Sequence, residues 1–397
     1  MRRLLRGISR FVMPLGIPLA WRQLAADRKR LITAAIGVAF GIMLMMFQVG
    51  LYNGINAMVV LPHENLDGDL FMTSVDWEAL GSSRGFTRRR LAQAEALPEV
   101  KSAVALYVGF VGWKNPETRQ TRQALTLAFD PAVNPFKPGA IRDQADKLRD
   151  PEAVLFDRLS GADYGPIAAL FESHNQGMDV DVERKHAVVR GLFTMGTTLF
   201  AAANVVMSDE AYFRYRSDLT RNIATIGVVS LRPNVDPEQV AVRLRELLPS
   251  DIRVLTRPAF IAEEQKYWNR RTPVGFVVGA GMLVGLLVGA IVVYQILYSD
   301  VNDHLKEYAT LKALGFEDGF FTILVIEEAL ILVLLGILPA LLMTEGLNHL
   351  ARVTVNLHAY IDPPQVALVL LAVSLSCALA GRLATGRLRT ADPASVF

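Results

Sequence analysis

The side chains that could do chemistry in this chain are few and scattered. The chain has no GxxxxGK(S/T) loop for a nucleotide phosphate and no GxSxG turn for a nucleophilic serine. Asp67 and Asp69 flank Gly68, which is typical of a turn. The histidines show no metal-ligand spacing with one another or with the single cysteine, Cys377; they are His63, His174, His186, His304, His349 and His358. The sequence therefore predicts no catalytic residue, no metal site and no cofactor bound by this chain.

Two adjacent carboxylates stand out because they interrupt an apolar run. Glu327 and Glu328 lie roughly 10 Å from its start, at a rise of about 1.5 Å per residue. Carboxylates within a membrane are costly and usually face a bundle interior or a wet cavity. Neighbouring helical residues point about 100° apart, so the two are not expected to serve one site. Two interpretations stay open: a polar contact for cargo or a partner helix, or an acid hydrated or paired at headgroup level.

The run that holds these acids is one of four apolar blocks, each long enough to cross a membrane as a helix. Hydrophobic residues make up 52% of the chain and the mean hydropathy is +0.30. The predicted transmembrane helices are 31–52, 274–297, 320–342 and 366–383. The net charge of +2 excludes the basic stripe of a nucleic-acid-binding protein.

Basic residues near the ends of the spans predict the orientation. Eight Lys and Arg residues precede the first span, which places the N-terminus in the cytoplasm; Arg387 and Arg389 agree for the C-terminus. Arg270 and Arg271 disagree locally, but long translocated domains largely escape this rule. The other predicted segments are the cytoplasmic 1–30, 298–319 and 384–397 and the periplasmic 53–273 and 343–365. Residues 1–30 could form an amphipathic segment on the membrane or a basic, partly ordered tail.

The long segment 53–273 shows the signals of an α+β domain. Strands are predicted at 70–75, 104–113, 123–129, 185–193, 204–207, 223–231 and 252–256. Helices are predicted at 208–216, 236–248 and 257–268, whereas 131–151 and 171–183 are predicted to be loops. The predicted fold class is an α-helical membrane protein with four transmembrane helices and a large α+β periplasmic domain inserted between helices 1 and 2.

Glycines recur at spacing four in the second span. Small residues at this spacing allow two helices to approach closely. The pattern fits packing within one protomer and a homodimer seam equally well. The residues predicted to form this seam are Gly279, Gly281, Gly285 and Gly289.

The loop between the second and third spans predicts a short polar helix. Ser299 can cap its start and Gly315 suits its end. Such a helix is well placed to contact a cytosolic partner, although a plain connector would have the same pattern.

Residues 307–315, EYATLKALG, resemble the signature E-x-A-x-L-(K/R)-A-(L/M)-G of the FtsX-like, MacB-type permeases of ABC transporters. Further segments resemble the DevC branch of that family. These are 294–301, 303–305, 107–110, 113–119, 154–158, 191–194 and the basic ending 389–394, RTADPA.

The resemblance implies a homodimeric, non-catalytic inner-membrane permease bound to two copies of a separate cytosolic ATPase of the DevA type, which binds ATP and Mg. A coupling helix over 301–314 would dock on that ATPase. Glu307 and Lys312 are predicted polar contacts, and Leu311 and Leu314 apolar ones. The predicted coupling residues are Asp303, His304, Glu307, Tyr308, Leu311, Lys312 and Leu314.

The resemblance also implies efflux of an amphiphilic, glycolipid-like cargo by mechanical transmission, through a DevB-type periplasmic adaptor and a TolC-like outer-membrane channel. Two other functions stay open. One is haem export, which would need an exposed axial ligand or an acidic site near the membrane face of the periplasmic domain; His63 and Glu64 lie close to the first span. The other is a signalling scaffold that transports nothing and activates a periplasmic partner.

Changing Leu311 and Leu314 together to Asp is expected to uncouple the ATPase without unfolding the periplasmic domain, because charges would replace the apolar docking contacts. Cargo-stimulated ATP hydrolysis measures this. Normal stimulation in the variant would contradict the assignment of the coupling helix.

Overall fold

The computed structural model describes residues 19–81, 84–174 and 177–385. The chain forms two compact units. The helical unit contains the described residues up to Gly54 and those from Phe276 onward, and the sheet domain contains Ile55–Gly275. Most of the predicted segment 1–30 and nearly all of the tail 384–397, with Arg387 and Arg389, lie outside the described residues.

The described helices and strands follow one another in chain order. They are α1 (Leu19–Ala26), α2 (Arg28–Glu64), β1 (Leu70–Ser74), β2 (Phe86–Thr87), α3 (Arg89–Glu95), β3 (Val100–Lys114), β4 (Thr121–Phe129), α4 (Ala140–Asp143), β5 (Ala153–Asp157), α5 (Ile167–His174), β6 (Met178–Val182), β7 (Lys185–Phe193), β8 (Asn204–Ser208), α6 (Asp209–Tyr215), β9 (Ile223–Ala224), β10 (Ile226–Leu231), α7 (Pro237–Leu247), β11 (Ile252–Thr256), α8 (Arg257–Arg270), α9 (Pro273–Asp303), α10 (Leu305–Ala313), α11 (Asp318–Val355) and α12 (Pro363–Ala384).

Four helices are long and apolar enough to cross a membrane: α2, α9, α11 and α12. Each predicted span lies within one of them, but α2 and α11 are much longer than predicted. At about 1.5 Å per residue, the 37 residues of α2 extend for about 55 Å, well beyond the hydrocarbon core. The four helices and the mixed domain between the first and second confirm the predicted fold class.

The sheet domain is built on nine strands in the order β11-β1-β10-β3-β4-β8-β5-β7-β6. Its neighbours are antiparallel except the pairs β4–β8 and β5–β7. The end of β3 also pairs with β6, Trp113 opposite Val182, so six strands from β3 to β6 close into a ring. All seven predicted strands are present, and Asp236 caps α7 by accepting a hydrogen bond from the Glu238 N–H, as its sequence predicts.

The predicted loops at 131–151 and 171–183 are wrong in part. The first contains α4 and a 3₁₀ turn at Ala145–Arg149, which bury Ile141 and Leu148. The second contains the end of α5 and the strand β6. These elements are only four to eight residues long, so their apolar residues are too few to show a period. Whether these short segments form helices or strands therefore depends on tertiary contacts.

The glycines of α9 pack against α2 within the same chain. A Cβ at Gly41 of α2 would lie 2.7 Å from Gly289 Cα, and a Cβ at Gly285 would lie 3.1 Å from the Met45 backbone nitrogen. A Cβ at Gly281 would meet the Gln48 side chain. The glycine spacing fitted packing within one protomer and a homodimer seam equally well. These contacts show that Gly281, Gly285 and Gly289 pack within one protomer. Gly279 differs, because nothing would lie within 4 Å of its added Cβ.

Gly41→Ala is expected to lower the free energy of unfolding of the full chain by about 1–3 kcal/mol relative to Gly279→Ala, because its methyl group must push two backbones apart. Both changes remove a helical glycine, so the control cancels the gain in helix propensity. Thermal or denaturant unfolding in detergent measures the difference. Equal stabilities would show that the α2–α9 crossing is not close.

Candidate functional site

The candidate site is the loop helix α10 and the residues that attach it to the helical unit. The predicted continuous helix 301–314 is wrong, because α9 runs on to Asp303 and α10 begins after His304. Ser299 lies inside α9 and caps nothing. The apolar face of α9 explains the extension: Val301 is 1% exposed and belongs to the core of the helical unit.

The end of α10 follows its sequence closely. Gly315 has φ +97°, a left-handed conformation that favours glycine. Its N–H donates to the Lys312 carbonyl at 3.0 Å, and the Phe316 N–H donates to the Leu311 carbonyl at 3.2 Å. This pair of bonds is a Schellman motif. Gly315 is thereby confirmed as the stop signal of the helix.

One face of α10 is buried against the helical unit. Tyr308 is 1% exposed and packs edge-on against Phe321 of α11, with ring centroids 5.4 Å apart. The Gln23 Nε2 of α1 donates to the Tyr308 hydroxyl at 3.2 Å. Burial, followed by nearby carboxylates, raises the pKa of the Tyr308 phenol, which therefore stays protonated. Tyr308 was predicted to contact a partner, which requires an exposed side chain. In the structure it belongs to the core of the helical unit.

The opposite face of α10 is exposed. Glu307 is exposed, and Leu314, at the C-cap, is 73% exposed. Lys306 and Thr310, which the sequence analysis missed, share this face. If Tyr308 is taken as the inward position, the 3.6-residue period of a helix places Lys306 and Thr310 on the outer face. The other predicted contacts are less accessible: Lys312 is half-buried, and Leu311 packs partly against the core.

Asp303 and His304 lie at the junction between α9 and α10, where the Asp303 side chain is exposed and that of His304 is half-buried. The Arg30 guanidinium of α2 lies 2.9 Å from the Asp303 carboxylate and 3.3 Å from that of Asp300. It also donates to the Ile296 carbonyl at 2.8 Å. His304 Nδ1 lies 3.7 Å from the Asp300 carboxylate. Arg30 therefore joins the start of α2 to the end of α9, beside a cavity of about 290 Å³.

Glu327 and Glu328 occupy different environments on α11. Glu328 is fully buried, and neither of its carboxylate oxygens has a hydrogen-bond partner among the described residues. Glu327 is half-buried. The two side chains are thus separated around the helix, as the angular step between adjacent residues predicts. Their role as a polar site in the membrane stays a prediction.

His63 is not an exposed haem ligand. It is 1% exposed, its Nε2 lies 3.3 Å from the Glu264 carboxylate, and its ring packs on Phe260 at 4.6 Å. Glu264 is itself fully buried and accepts a hydrogen bond from the Trp268 indole at 3.1 Å. Within the described part of the chain, no three His, Cys, Asp or Glu side chains are grouped to hold a metal ion.

Comparisons with known proteins agree with this architecture. Residues 31–247 match the model of the MacB-like periplasmic core domain, and residues 279–393 match that of the FtsX-like permease C-terminal domain. Two uncharacterized ABC transporter permeases of Mycobacterium tuberculosis, from strains CDC 1551 and H37Rv, are each 24% identical over 388 residues. These matches cover 95% of this chain and 98% of each relative.

Two solved extracytoplasmic domains show weaker similarity. The extracellular domain of the noncanonic ABC-type transporter YknZ from Gram-positive bacteria is 14% identical, with a TM-score of 0.33 over 48% of this chain and 99% of that one. The periplasmic region of MacB from Actinobacillus actinomycetemcomitans is 10% identical, with a TM-score of 0.31 over 49% of this chain and 91% of that one.

These features define a class of protein: a permease with four candidate spans and a large α+β domain after the first span. The chain belongs to the family of the MacB-like periplasmic core domain and carries the FtsX-like permease C-terminal domain. It is an ABC transporter permease, a multi-pass protein of the inner membrane, and this class implies a separate ATPase partner. Such permease subunits are generally non-catalytic.

Tyr308→Ala is expected to lower the free energy of unfolding by about 3–5 kcal/mol, because it leaves a cavity beside Phe321. Tyr308→Phe should cost about 1 kcal/mol, the net value of its single hydrogen bond with Gln23. Unfolding of the full chain in detergent measures both. Two variants as stable as the parent would contradict the burial of Tyr308.

Proposed function

We propose that this chain is the permease of a MacB-type ABC exporter of the DevC branch. It couples ATP hydrolysis by a separate ATPase to movements of the sheet domain, which drive efflux of an amphiphilic, glycolipid-like cargo. The cargo leaves through a periplasmic adaptor and an outer-membrane channel. Both termini are cytoplasmic, and two copies of the chain assemble with two copies of the ATPase.

The single observation that carries this proposal is the placement of α10. It lies between the second and third candidate spans, and it exposes Lys306, Glu307, Thr310 and Leu314 on one face. This face combines two charges, a hydroxyl and an exposed leucine, a composition suited to a protein contact with an apolar centre and a polar rim. The basic residues before α2 support a cytoplasmic location for this face.

The attachments of α10 suggest how a movement would be transmitted. Tyr308 links α10 to α1 and α11, and Arg30 links the junction before it to the start of α2. From there α2 continues without interruption to Glu64, where its last ten residues belong to the sheet domain. A displacement of α10 by nucleotide-dependent closure of the ATPase would therefore act on α2, which runs as one continuous helix into the sheet domain.

The assignment to the DevC branch is supported by sequence resemblance in both halves of the chain. The segment 107–110 lies in β3, 154–158 extends from β5, and 191–194 extends from β7. These strands belong to the six-stranded ring of the sheet domain. DevA-type ATPase and DevB-type adaptor partners follow from that resemblance.

Leu314→Asp combined with Glu307→Lys is expected to reduce copurification of the ATPase and to lower cargo-stimulated ATP hydrolysis about tenfold or more, because both changes fall on the exposed face of α10. Leu311 is left unchanged, since it packs partly against the core. Leu247→Asp is the matched control, because Leu247 is 53% exposed on α7 of the sheet domain. Unaltered copurification and hydrolysis in the double variant would contradict docking at α10.

Affinity purification of the tagged chain from its native membrane, followed by mass spectrometry, tests the assembly. We expect an ABC ATPase together with a periplasmic adaptor. An ATPase found with a periplasmic hydrolase and no adaptor would instead indicate a signalling scaffold.

A further inference from the structure

A cleft of about 710 Å³ lies on the sheet domain, between the segment after β1, the strand β11 and the helix α8. Its volume falls within the range of about 300–1,000 Å³ that is usual for small-molecule sites. It is separate from the coupling site, since none of its lining residues belongs to the helical unit. Its wall contains five basic side chains: Arg84, Arg253, Lys266, Arg270 and Arg271.

The acidic side chains of the cleft do not balance these bases. Glu78 pairs with Arg271 at 2.9 Å, and Glu263 lies 3.2 Å from Lys266 and 3.9 Å from Arg253. The third acid, Asp76, has no salt bridge in the described part of the chain. Arg84 and Arg270 are exposed and also lack a salt-bridge partner among the residues that the structure describes. The cleft therefore has a positive surplus with two cations available to a ligand.

Two buried donors on the cleft wall have no acceptor. Trp77 is 3% exposed, and its indole Nε1 has no hydrogen-bond partner among the described residues. The same holds for the Nε of Arg253. The Arg253 guanidinium also donates to the Trp77 carbonyl and lies 5.9 Å from the centre of its ring. Because unpaired buried donors are costly, the pair favours a ligand that brings oxygen acceptors.

The chain connects this cleft directly to a membrane span. α8 ends at Arg270, and α9, a candidate span, begins at Pro273. Tyr267 of α8 and Trp77 also line the cleft. Aromatic and basic side chains close to the end of a span are typical of the headgroup level of a membrane. These side chains therefore suit the polar headgroup of an amphiphile.

We infer that this cleft binds the oxyanion headgroup of an amphiphile, a phosphate, sulfate or carboxylate presented from the membrane surface. Arg84 and Arg270 neutralise the headgroup, and the Trp77 and Arg253 N–H groups donate to its oxygens. Naming this amphiphile as cargo rests on the function proposed above, whereas the binding itself does not. The inference narrows the cargo from amphiphiles in general to anionic ones.

The test is native mass spectrometry of the full chain in neutral detergent, titrated with dihexanoyl phosphatidylglycerol, dihexanoyl phosphatidylcholine or glycerol phosphate. We expect the anionic lipid to bind more tightly than the zwitterionic one. Arg84→Gln with Arg270→Gln should weaken its binding about tenfold, and Trp77→Phe, which removes the N–H together with the pyrrole part of the indole ring, about threefold. The control Arg89→Gln with Lys101→Gln removes the same charge from exposed residues outside the cleft and should change binding less than about twofold.

Three results would overturn the inference. Equal affinity for the two lipids would exclude recognition of charge. Equal affinity for glycerol phosphate would show that the cleft binds a free oxyanion and not an amphiphile. Unchanged binding in the Arg84 and Arg270 variant, with its unfolding temperature also unchanged, would place the ligand elsewhere. Because no ATPase takes part, these outcomes are independent of coupling through α10, which the Leu314 variant tests.

Discussion

The close crossing of α2 and α9 is the contact on which the helical unit depends. Gly41 and Gly289 let the two backbones approach so closely that one added methyl group would collide with the facing backbone. In lipid, apolar side chains gain nothing by leaving solvent, so helix association depends on such close packing. The same two helices carry the chain into and out of the sheet domain. The crossing therefore holds together the two helices by which the chain enters and leaves the sheet domain.

Polar contacts hold the start of α2 and the end of α9 together. Arg30 binds the end of α9, and the Gln23–Tyr308 hydrogen bond joins α10 to α1. Together with the packing of Tyr308 on α11, they hold the inner face of a nine-residue helix that would be marginal alone. Held in this way, α10 can present a defined outer face to a partner.

In the sheet domain, aromatic packing positions the helix that leads into α9. Phe260 of α8 stacks on Phe71 of β1, with ring centroids 4.6 Å apart, and packs beside Trp77 at 5.3 Å. His63, in the last turn of α2, packs against the same ring at 4.6 Å. Phe260 therefore contacts the end of α2, the strand β1 and Trp77 on the wall of the basic cleft.

The sequence by itself determined the features that depend on local chemistry. The length of the apolar runs predicted the four spans, alternation and β-branched residues predicted seven strands, and Asp236 and Gly315 predicted a helix start and a helix stop. These signals lie within a few neighbouring residues, so no knowledge of the fold is needed. The resemblance at 307–315 likewise located the loop helix, although not its start.

Only the tertiary structure decided which faces are covered. A nine-residue helix between two spans does not reveal by its period which side meets its neighbours, so Tyr308 was predicted to be a contact although it is buried. The glycine spacing could not distinguish α2 from a second protomer, because both would require small residues. The basic cleft joins residues from 75 to 271, and no local pattern links them. Burial depends on which distant segments meet, and that is decided only when the whole chain folds.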